Sequence, residues 1–250
     1  ILPNLISAIG KNQARGIRDM AIFEIGPQYV DVSPSGQKLV AAGARTGLSQ
    51  PRTWTNKSET VDIFHAKADL ISALSSANIP AEKLQQKIDT PIWYHPGKSA
   101  CLCLGRDILG SFGELHPSIT KAMDAEGPIS VFELFFDNLP KIKDKQKSSK
   151  PFLELSSFQP VKRDYAFIVD ESVLSDDVIQ AVRSAERSLI ADVSLFDVYR
   201  GEGIVKGKKS LALAVILQPV EATMTDLEIE KIGIKIVENV NEKTGGILRQ

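Results

Sequence analysis

An acid, an aromatic ring and a hydroxyl lie close together in the last quarter of the sequence. Asp197 and Tyr199 are two residues apart in an apolar run, and Ser210 opens the next apolar run. Side chains two apart on a β-strand point to the same face. An exposed aromatic ring can stack on an unpaired nucleobase, a carboxylate can accept hydrogen bonds from the edge of guanine, and a hydroxyl can donate or accept. The spacing therefore indicates a candidate base-reading site at these three residues.

Strand alternation places the neighbours of these residues on the opposite face of the sheet. The apolar residues that we expect to be buried there, beneath helices, are Phe196, Val198, Leu211, Leu213 and Val215. The acid, the ring and the hydroxyl are then expected to share an uncovered face. Spacing alone leaves a second interpretation open, in which Tyr199 simply packs at the edge of a sheet.

The connection between the two apolar runs, residues 200–209, is rich in positive charge. It carries cations at Arg200, Lys206, Lys208 and Lys209 against the single carboxylate of Glu202. From residue 151 onward, however, 12 Lys and Arg residues stand against 16 Asp and Glu residues, so the positive charge is local. The four cations are candidate contacts to an RNA backbone, in a site of modest affinity.

A β-α-β-β-α-β order is predicted to position these candidates. Strands are indicated at residues 163–169, 194–199, 210–217 and 245–249, and helices at residues 175–189 and from residue 225. Thr225 and Glu228 form a capping box, and Ser175 is expected to cap the other helix. This order is the ferredoxin-like split unit, a four-stranded sheet with both helices on one face. The other face stays open.

The first half of the chain is predicted to be a separate α+β domain around an antiparallel sheet. Helices are indicated at residues 2–15, 61–77 and from 118, and strands at 20–25, 37–47, 100–105, 108–115 and 129–136. Leu2, Leu5, Ile6 and Ile9 form an apolar stripe that we expect to stay partly exposed as a subunit contact. A lysine-rich segment predicts a linker at 141–156, between domains at 1–140 and 157–250.

Composition excludes several classes of protein. Apolar residues make up 43% and charged residues 24% of the chain, which is typical of a globular protein, and the formal charge of -1 does not indicate a general nucleic-acid binder. No apolar stretch reaches about 18 residues, so no membrane association is expected. Cys101 and Cys103 are expected to be buried thiols, and His95 and His116, each before a proline, are assigned structural rather than metal-binding roles.

Several motifs together resemble a known family. The second half carries FQPVKRDYAF at residues 158–167, LFDVYRG at 195–201 and GKKSLA at 207–212, and the first half carries FEIG at 23–26, HPGKSA at 95–100 and GELHP at 113–117. In this order they resemble the C-terminal part of the β subunit of bacterial phenylalanyl-tRNA synthetase. The matched part is a catalytic-like domain followed by a ferredoxin-fold anticodon-binding domain. The resemblance covers nearly the whole chain.

This resemblance implies a role inside a larger enzyme. The family is an (αβ)₂ ligase that uses ATP and Mg²⁺ to join phenylalanine to its tRNA in the cytoplasm, with the active site on the α subunit. The β subunit's class II synthetase-like domain then scaffolds the α subunit, and its last domain reads the anticodon, whose first base is guanine. The family's guanine-contacting Asp, stacking Tyr and nearby Ser match Asp197, Tyr199 and Ser210. No cofactor or metal ligand is expected in this chain itself.

The first half shows no sign of catalysis of its own. Class II synthetases place an Arg two residues before a Glu on a strand, where it holds the α-phosphate of ATP. If Glu24 is that Glu, the Arg position holds Ile22, which cannot bind phosphate. The glycine-rich third motif that ends in Arg is also missing from the sequence. No catalytic residue is assigned, and the chain alone is expected to be inactive.

Two other classes of function fit the ferredoxin-like order. One is a regulatory module that binds a small molecule at a helix–strand edge, and the other is an assembly domain whose open sheet meets another protein. RNA binding that weakens when Tyr199 is lost, and weakens as salt rises, distinguishes the anticodon-binding interpretation from both.

Overall fold

In the computed structural model, which describes residues 1–140, 156–220 and 222–249, the strands form two separate antiparallel sheets. The chain divides into two units, Ile1–Gln146 and Lys147–Gln250, with one sheet in each. The α+β prediction is therefore confirmed. The predicted linker at 141–156 lies outside the described residues except for Ser156, and the predicted domain boundaries stay a prediction.

The first unit is a six-stranded sheet with helices on both faces, in the strand order β1-β2-β6-β5-β4-β3. Its helices are α1 (Leu2–Gln13), α2 (Ile63–Ser76) and α3 (Pro117–Ala122), and its strands are β1 (Met20–Tyr29), β2 (Gln37–Thr46), β3 (Gln85–Lys87), β4 (Tyr94–Leu104), β5 (Asp107–Leu115) and β6 (Ile129–Phe135). Strand β3 was not predicted, because a polar run of three residues carries no apolar alternation.

The apolar stripe of α1 packs against the sheet of its own unit. Leu5, Ile6 and Ile9 are 5%, 2% and 0% exposed and belong to one core cluster with Ala44 and Val131. Burying such side chains stabilises the unit by roughly 1.5–3 kcal/mol each. The prediction that this stripe stays exposed as a subunit contact is therefore wrong, because the sheet supplies the partner that the sequence did not reveal.

The second unit has the predicted β-α-β-β-α-β order. Its elements are β7 (Val161–Asp170), α4 (Ser175–Ala185), β8 (Ile190–Tyr199), β9 (Lys208–Leu217), α5 (Asp226–Thr244) and β10 (Ile247–Leu248). The sheet order is β10-β7-β9-β8, which is that of the ferredoxin-like split unit. The two central strands are β7 and β9, so β8 and β10 form the edges.

Both helices of the second unit cover the same face of its sheet. The stripe of α5, from Ile229 to Val240, joins Val178 and Val182 of α4 in a single core cluster with Leu211 and Leu213 of β9. Thr225 and Glu228 form the predicted capping box at the start of α5. The predicted cap of α4 is wrong: Ser175 is its first helical residue, and Leu174 stands at the cap without a side-chain bond.

Candidate nucleic-acid interface

Strand register brings the three candidate residues to the face of the second sheet that the helices leave open. Tyr199 lies opposite Ser210, and Asp197 lies opposite Ala212. Residues that lie directly opposite in antiparallel strands share a face. Leu211 and Leu213, the intervening residues of β9, are 1% and 0% exposed and pack against the helices, so Asp197, Tyr199 and Ser210 point away from them.

Tyr199 is held at the rim of this open face by the loop that follows it. Its hydroxyl donates to the carbonyl of Glu202 at 3.2 Å, and its side chain is 36% exposed. A Cβ placed on Gly201 would lie 2.7 Å from Tyr199 Oη and 2.9 Å from Cζ, so a larger residue there would push the ring aside. The glycine and the hydrogen bond together fix the orientation of a ring that stays partly open to solvent.

The acid and the hydroxyl differ in accessibility. Asp197 is exposed, and its carboxylate has no hydrogen bond or ion pair with any residue that the structure describes. Ser210 lies on the uncovered face, as alternation predicts, but it is only 3% exposed. Ser210 sits in the central strand β9 between Tyr199 and Ile168, whose side chains share its face and shield it. A group that stacks on Tyr199 would lie close above this hydroxyl.

A β-bulge overturns the predicted burial of Phe196 and Val198. The pairing of β8 with β9 slips by one residue between Leu195 and Asp197, which leaves Phe196 as the extra residue. Phe196 is 59% exposed and stands beside Asp197 instead of packing under the helices. Val198 is 41% exposed because it lies near the end of an edge strand. Alternation in the sequence therefore missed an exposed aromatic residue next to the candidate site.

The four cations of the loop differ in their freedom to bind a phosphate. Arg200 donates from Nε and Nη2 to Glu171 at 2.9 and 2.7 Å, and this contact lowers the pKa of Glu171. Lys209 is 9% exposed and donates to the carbonyl of Glu171, while Lys208 pairs with Asp170 at 3.3 Å. Lys206 is exposed and pairs with no described residue. Lys206 is thus the loop cation without a partner among the described residues, and contact of all four with RNA stays a prediction.

Arg249 is a residue beside Tyr199 that no pattern in the sequence indicates. Its guanidinium carbon lies 5.4 Å from the centroid of the Tyr199 ring, in a cation–π contact. The two residues are separated by half of the domain sequence and stand at opposite edges of the sheet, so they meet only because their side chains extend over the open face. No spacing within the sequence signals such a contact.

The cysteines of the first unit are buried, and His95 and His116 make hydrogen bonds within turns. Cys101 and Cys103 are buried free thiols, as predicted, and burial raises the pKa of each. His116 Nδ1 accepts a hydrogen bond from the backbone of Ser118 and caps α3. His95 Nδ1 accepts from the backbone of Gly97 in a turn. Nδ1 of each of these two histidines is thus bonded within a local turn.

Glu133 is a buried acid in the first unit, beside a cavity of about 450 Å³ with mainly apolar walls. It is 4% exposed, and its Oε2 accepts from Trp93 Nε1 at 3.2 Å and from Tyr94 Oη at 3.0 Å. Burial raises the pKa of Glu133, and the two hydrogen bonds oppose that rise without cancelling it. The Glu133 carboxyl group therefore binds its proton more tightly in the folded chain than in the unfolded chain.

Glu133→Gln is expected to make the stability of the first unit less dependent on pH. Because the folded-state pKa lies above 4.5, Glu133 makes the free energy of unfolding fall as pH rises from 4.5 through the raised value. Glutamine can still accept both hydrogen bonds but does not ionise. Urea unfolding followed by tryptophan fluorescence across this pH range checks the prediction, with Glu24→Gln as an exposed control. An unchanged pH dependence in Glu133→Gln would contradict it.

No helix in the described ranges is both long and apolar enough to cross a lipid bilayer.

Comparison with known proteins finds a match for each unit. The family described as phenylalanyl tRNA synthetase beta chain CLM domain matches residues 1–136, and the ferredoxin-fold anticodon binding domain matches residues 156–249. The phenylalanine–tRNA ligase beta subunits of Paramagnetospirillum magneticum and Rhodospirillum rubrum are 46% and 47% identical over 249 residues. Each match covers 100% of this chain and 31% of the relative, so the chain spans about a third of their length.

A solved structure of a pyrrolysyl tRNA synthetase from Desulfitobacterium hafniense is a far weaker match. It covers 54% of this chain and 46% of that chain, at a TM-score of 0.39 and 14% sequence identity. A likeness of this size carries no argument about fold or function.

Proposed function

Because the chain belongs to the family of phenylalanyl-tRNA synthetase β chains, we propose that its second unit binds the anticodon of phenylalanine tRNA and that its first unit supports the catalytic α subunit. In this proposal the chain is part of an (αβ)₂ ligase that works in the cytoplasm. The chain itself performs no chemical step.

One observation carries the proposal for the second unit: Asp197 and Tyr199 of the edge strand β8 lie on the open face of the sheet. Ser210 lies beside Tyr199 on the same face, in the neighbouring central strand β9. An unpaired guanine that stacks on the Tyr199 ring gains on the order of 1–3 kcal/mol. Its N1–H and N2–H groups then face the free carboxylate of Asp197, which accepts both. Adenine has no hydrogen at N1 to donate, so the same acid would reject it.

The local charge also fits a single-stranded loop. Lys206 and Arg249 have no acidic partner among the described residues; Lys206 lies in the loop that follows Tyr199, and Arg249 contacts the Tyr199 ring. The remaining loop cations, Arg200, Lys208 and Lys209, are bonded to Asp170 or Glu171 at the end of β7. They therefore contribute less to the electrostatic attraction of RNA phosphates. We therefore expect the second unit to bind RNA with modest affinity at this site, and the affinity to fall as the salt concentration rises.

Asp197→Ala is expected to remove the preference for guanine. The wild-type chain should bind the anticodon stem-loop with guanine as the first base about tenfold or more tightly than the same stem-loop with adenine, since a paired contact to a base edge discriminates by roughly 1–3 kcal/mol. In Asp197→Ala the two RNAs should bind with similar, weaker affinity. Fluorescence titration of both labelled stem-loops measures this.

Asp177→Ala is the matched control, because Asp177 is exposed on α4, on the helix side of the sheet. It should keep the guanine preference. A preference retained in Asp197→Ala, or absent from the wild-type chain, would argue against anticodon reading and for a regulatory or protein-assembly module.

The first unit fits a supporting role better than a catalytic one. On β1, Ile22 lies opposite Ala44 and packs into the core cluster beneath α1, at the position where a class II-like strand would need an arginine for ATP. The residues present do not fit ATP, so we assign ATP and Mg²⁺ to the α subunit. The class II-like character of this sheet is part of the proposal.

An exposed apolar surface on the first sheet supports contact with a partner subunit. Phe23 and Ile25 of the edge strand β1 are 73% and 56% exposed, and Leu39 of β2 is 46% exposed. Phe23 lies opposite Gly43, Ile25 opposite Ala41 and Leu39 opposite Pro27, so the three side chains share one face. We assign this surface to the α subunit, in place of the stripe on α1.

A further inference from the structure

The cavity of about 450 Å³ in the first unit lies on the face of the sheet that α1 covers. Helices α1 and α3, strands β1, β5 and β6, and Trp93 just before β4 contribute to its walls. Ligand sites in proteins commonly enclose roughly 300–1,000 Å³. The cavity is therefore large enough for a small molecule with one ring. Most of the lining side chains are apolar: Leu2, Pro3, Ile6, Leu115, Ile119 and Met123.

One acid interrupts these apolar walls. Glu133 is 4% exposed, and both of its hydrogen bonds, from Trp93 and Tyr94, end on Oε2. Its other oxygen, Oε1, has no hydrogen-bond partner among the described residues. A buried carboxylate needs an opposite charge or hydrogen bonds, because it has lost its hydration. Glu133 therefore offers an acceptor to a ligand in the cavity.

The surroundings of Glu133 favour a cation. Burial raises the pKa of its carboxyl group, and the positive charge of the Ile1 amino group is among the effects that oppose that rise. This amino group acts only through its charge and donates no hydrogen bond to the acid. An ammonium group of a ligand at Oε1 would combine the same attraction with a charge-assisted hydrogen bond, which is about twice as strong as a neutral one.

A second acceptor belongs to the same cavity. Gln28 of β1 lines it, and the buried Oε1 atom of Gln28 has no hydrogen-bond partner in the described part of the chain. Gln28 lies two strands away from Glu133 and four residues further along the sheet, since Gln28 pairs with Lys38 and Glu133 with Ala42. Both residues present an oxygen without a donor, so the cavity favours a ligand that donates hydrogen bonds.

We propose that this cavity binds a small primary amine with an aromatic body, whose ammonium group donates to Oε1 of Glu133. The ring packs against the apolar walls, where the sulfur of Met123 and the indole of Trp93 both suit an aromatic partner. Phe23 is in register with Phe132, the neighbour of Glu133, so the surface assigned to the α subunit lies on the opposite face of the sheet. Binding of the amine is thus separate from the proposed functions of both units.

Titration of the complete chain with 2-phenylethylamine tests this site. Trp54 is 98% exposed, so Trp54→Phe should keep the fold and leave Trp93 as the single tryptophan. In this chain 2-phenylethylamine is expected to change the Trp93 fluorescence. It should bind about tenfold more tightly than 2-phenylethanol, which has the same ring but no charge. The anion 3-phenylpropionate, whose carboxylate would meet Glu133, should not bind.

Glu133→Gln in the same chain removes the charge but keeps an acceptor for Trp93 and Tyr94. The amine and the alcohol should then bind within about twofold of each other. Glu82→Gln is the matched control, since Glu82 is exposed and does not line the cavity, and it should keep the tenfold preference. Circular dichroism checks that each variant is folded.

Three results would overturn the inference. The first is an amine that leaves the Trp93 fluorescence unchanged at millimolar concentration, and the second is equal binding of the amine and the alcohol. Both are measured with Glu133 in place, so they decide the matter even if Glu133→Gln does not fold. The third is a tenfold preference for the amine that persists in folded Glu133→Gln, because the acid would then not be its partner.

Discussion

Tyr199→Ala is expected to weaken binding of the phenylalanine-tRNA anticodon stem-loop by about ten- to a hundredfold, the largest effect of any single change at the site. Alanine removes the surface on which the base stacks and also the ring that holds the Arg249 guanidinium. Tyr199→Phe keeps the ring and loses only the bond to the Glu202 carbonyl, so its effect should be about twofold. Fluorescence titration at two salt concentrations measures both variants.

Tyr29→Ala is the control for this change. Tyr29 is 66% exposed and ends β1 in the first unit, so its loss should leave RNA binding unchanged. If folded Tyr199→Ala and wild type bind the RNA with equal affinity, no base stacks on the Tyr199 ring and this part of the proposal is wrong.

Leu213→Ala is expected to destabilise the second unit by about 2–5 kcal/mol. Leu213 is 0% exposed and lies in β9 between Tyr165 of β7 and Leu195 of β8, where it packs in the core beneath both helices. Its truncation leaves a cavity at the centre of the sheet that carries the candidate site. RNA binding should then decline with the folded fraction as urea is added.

Urea unfolding followed by circular dichroism measures this loss, because both tryptophans belong to the first unit and do not report on the second. Leu227→Ala is the matched control: Leu227 is 70% exposed on α5, and its truncation should change stability by less than about 0.5 kcal/mol. If the urea midpoint of Leu213→Ala equals that of Leu227→Ala, the prediction that Leu213 stabilises the core is contradicted.

The sequence predicted features that depend on local pattern. The capping box at Thr225 and Glu228 is such a feature, because a residue three positions away supplies the partner. The β-α-β-β-α-β order is another, since each element has its own apolar period. The shared face of Asp197 and Tyr199 followed from alternation over two residues, and the register with β9 extended it to Ser210.

The features that the sequence missed depend on residues far apart in the chain. The bulge that exposes Phe196 is a mismatch between β8 and β9, and alternation within β8 alone cannot reveal it. Contact between Arg249 and Tyr199 requires the complete strand order of the sheet. The apolar stripe of α1 by itself predicts a subunit surface, because the sheet that buries it lies elsewhere in the sequence.

The bulge in β8 also affects how this chain behaves at high concentration. Because β8 is an edge strand, its outer backbone groups could pair with the same strand of a second molecule. An extra residue at Phe196 interrupts the even spacing of those groups and increases the local twist, so a straight partner strand cannot follow the edge. Deleting Phe196 would restore even spacing from Val193 to Tyr199, and with it a route to aggregation through the part of the strand that carries Asp197 and Tyr199.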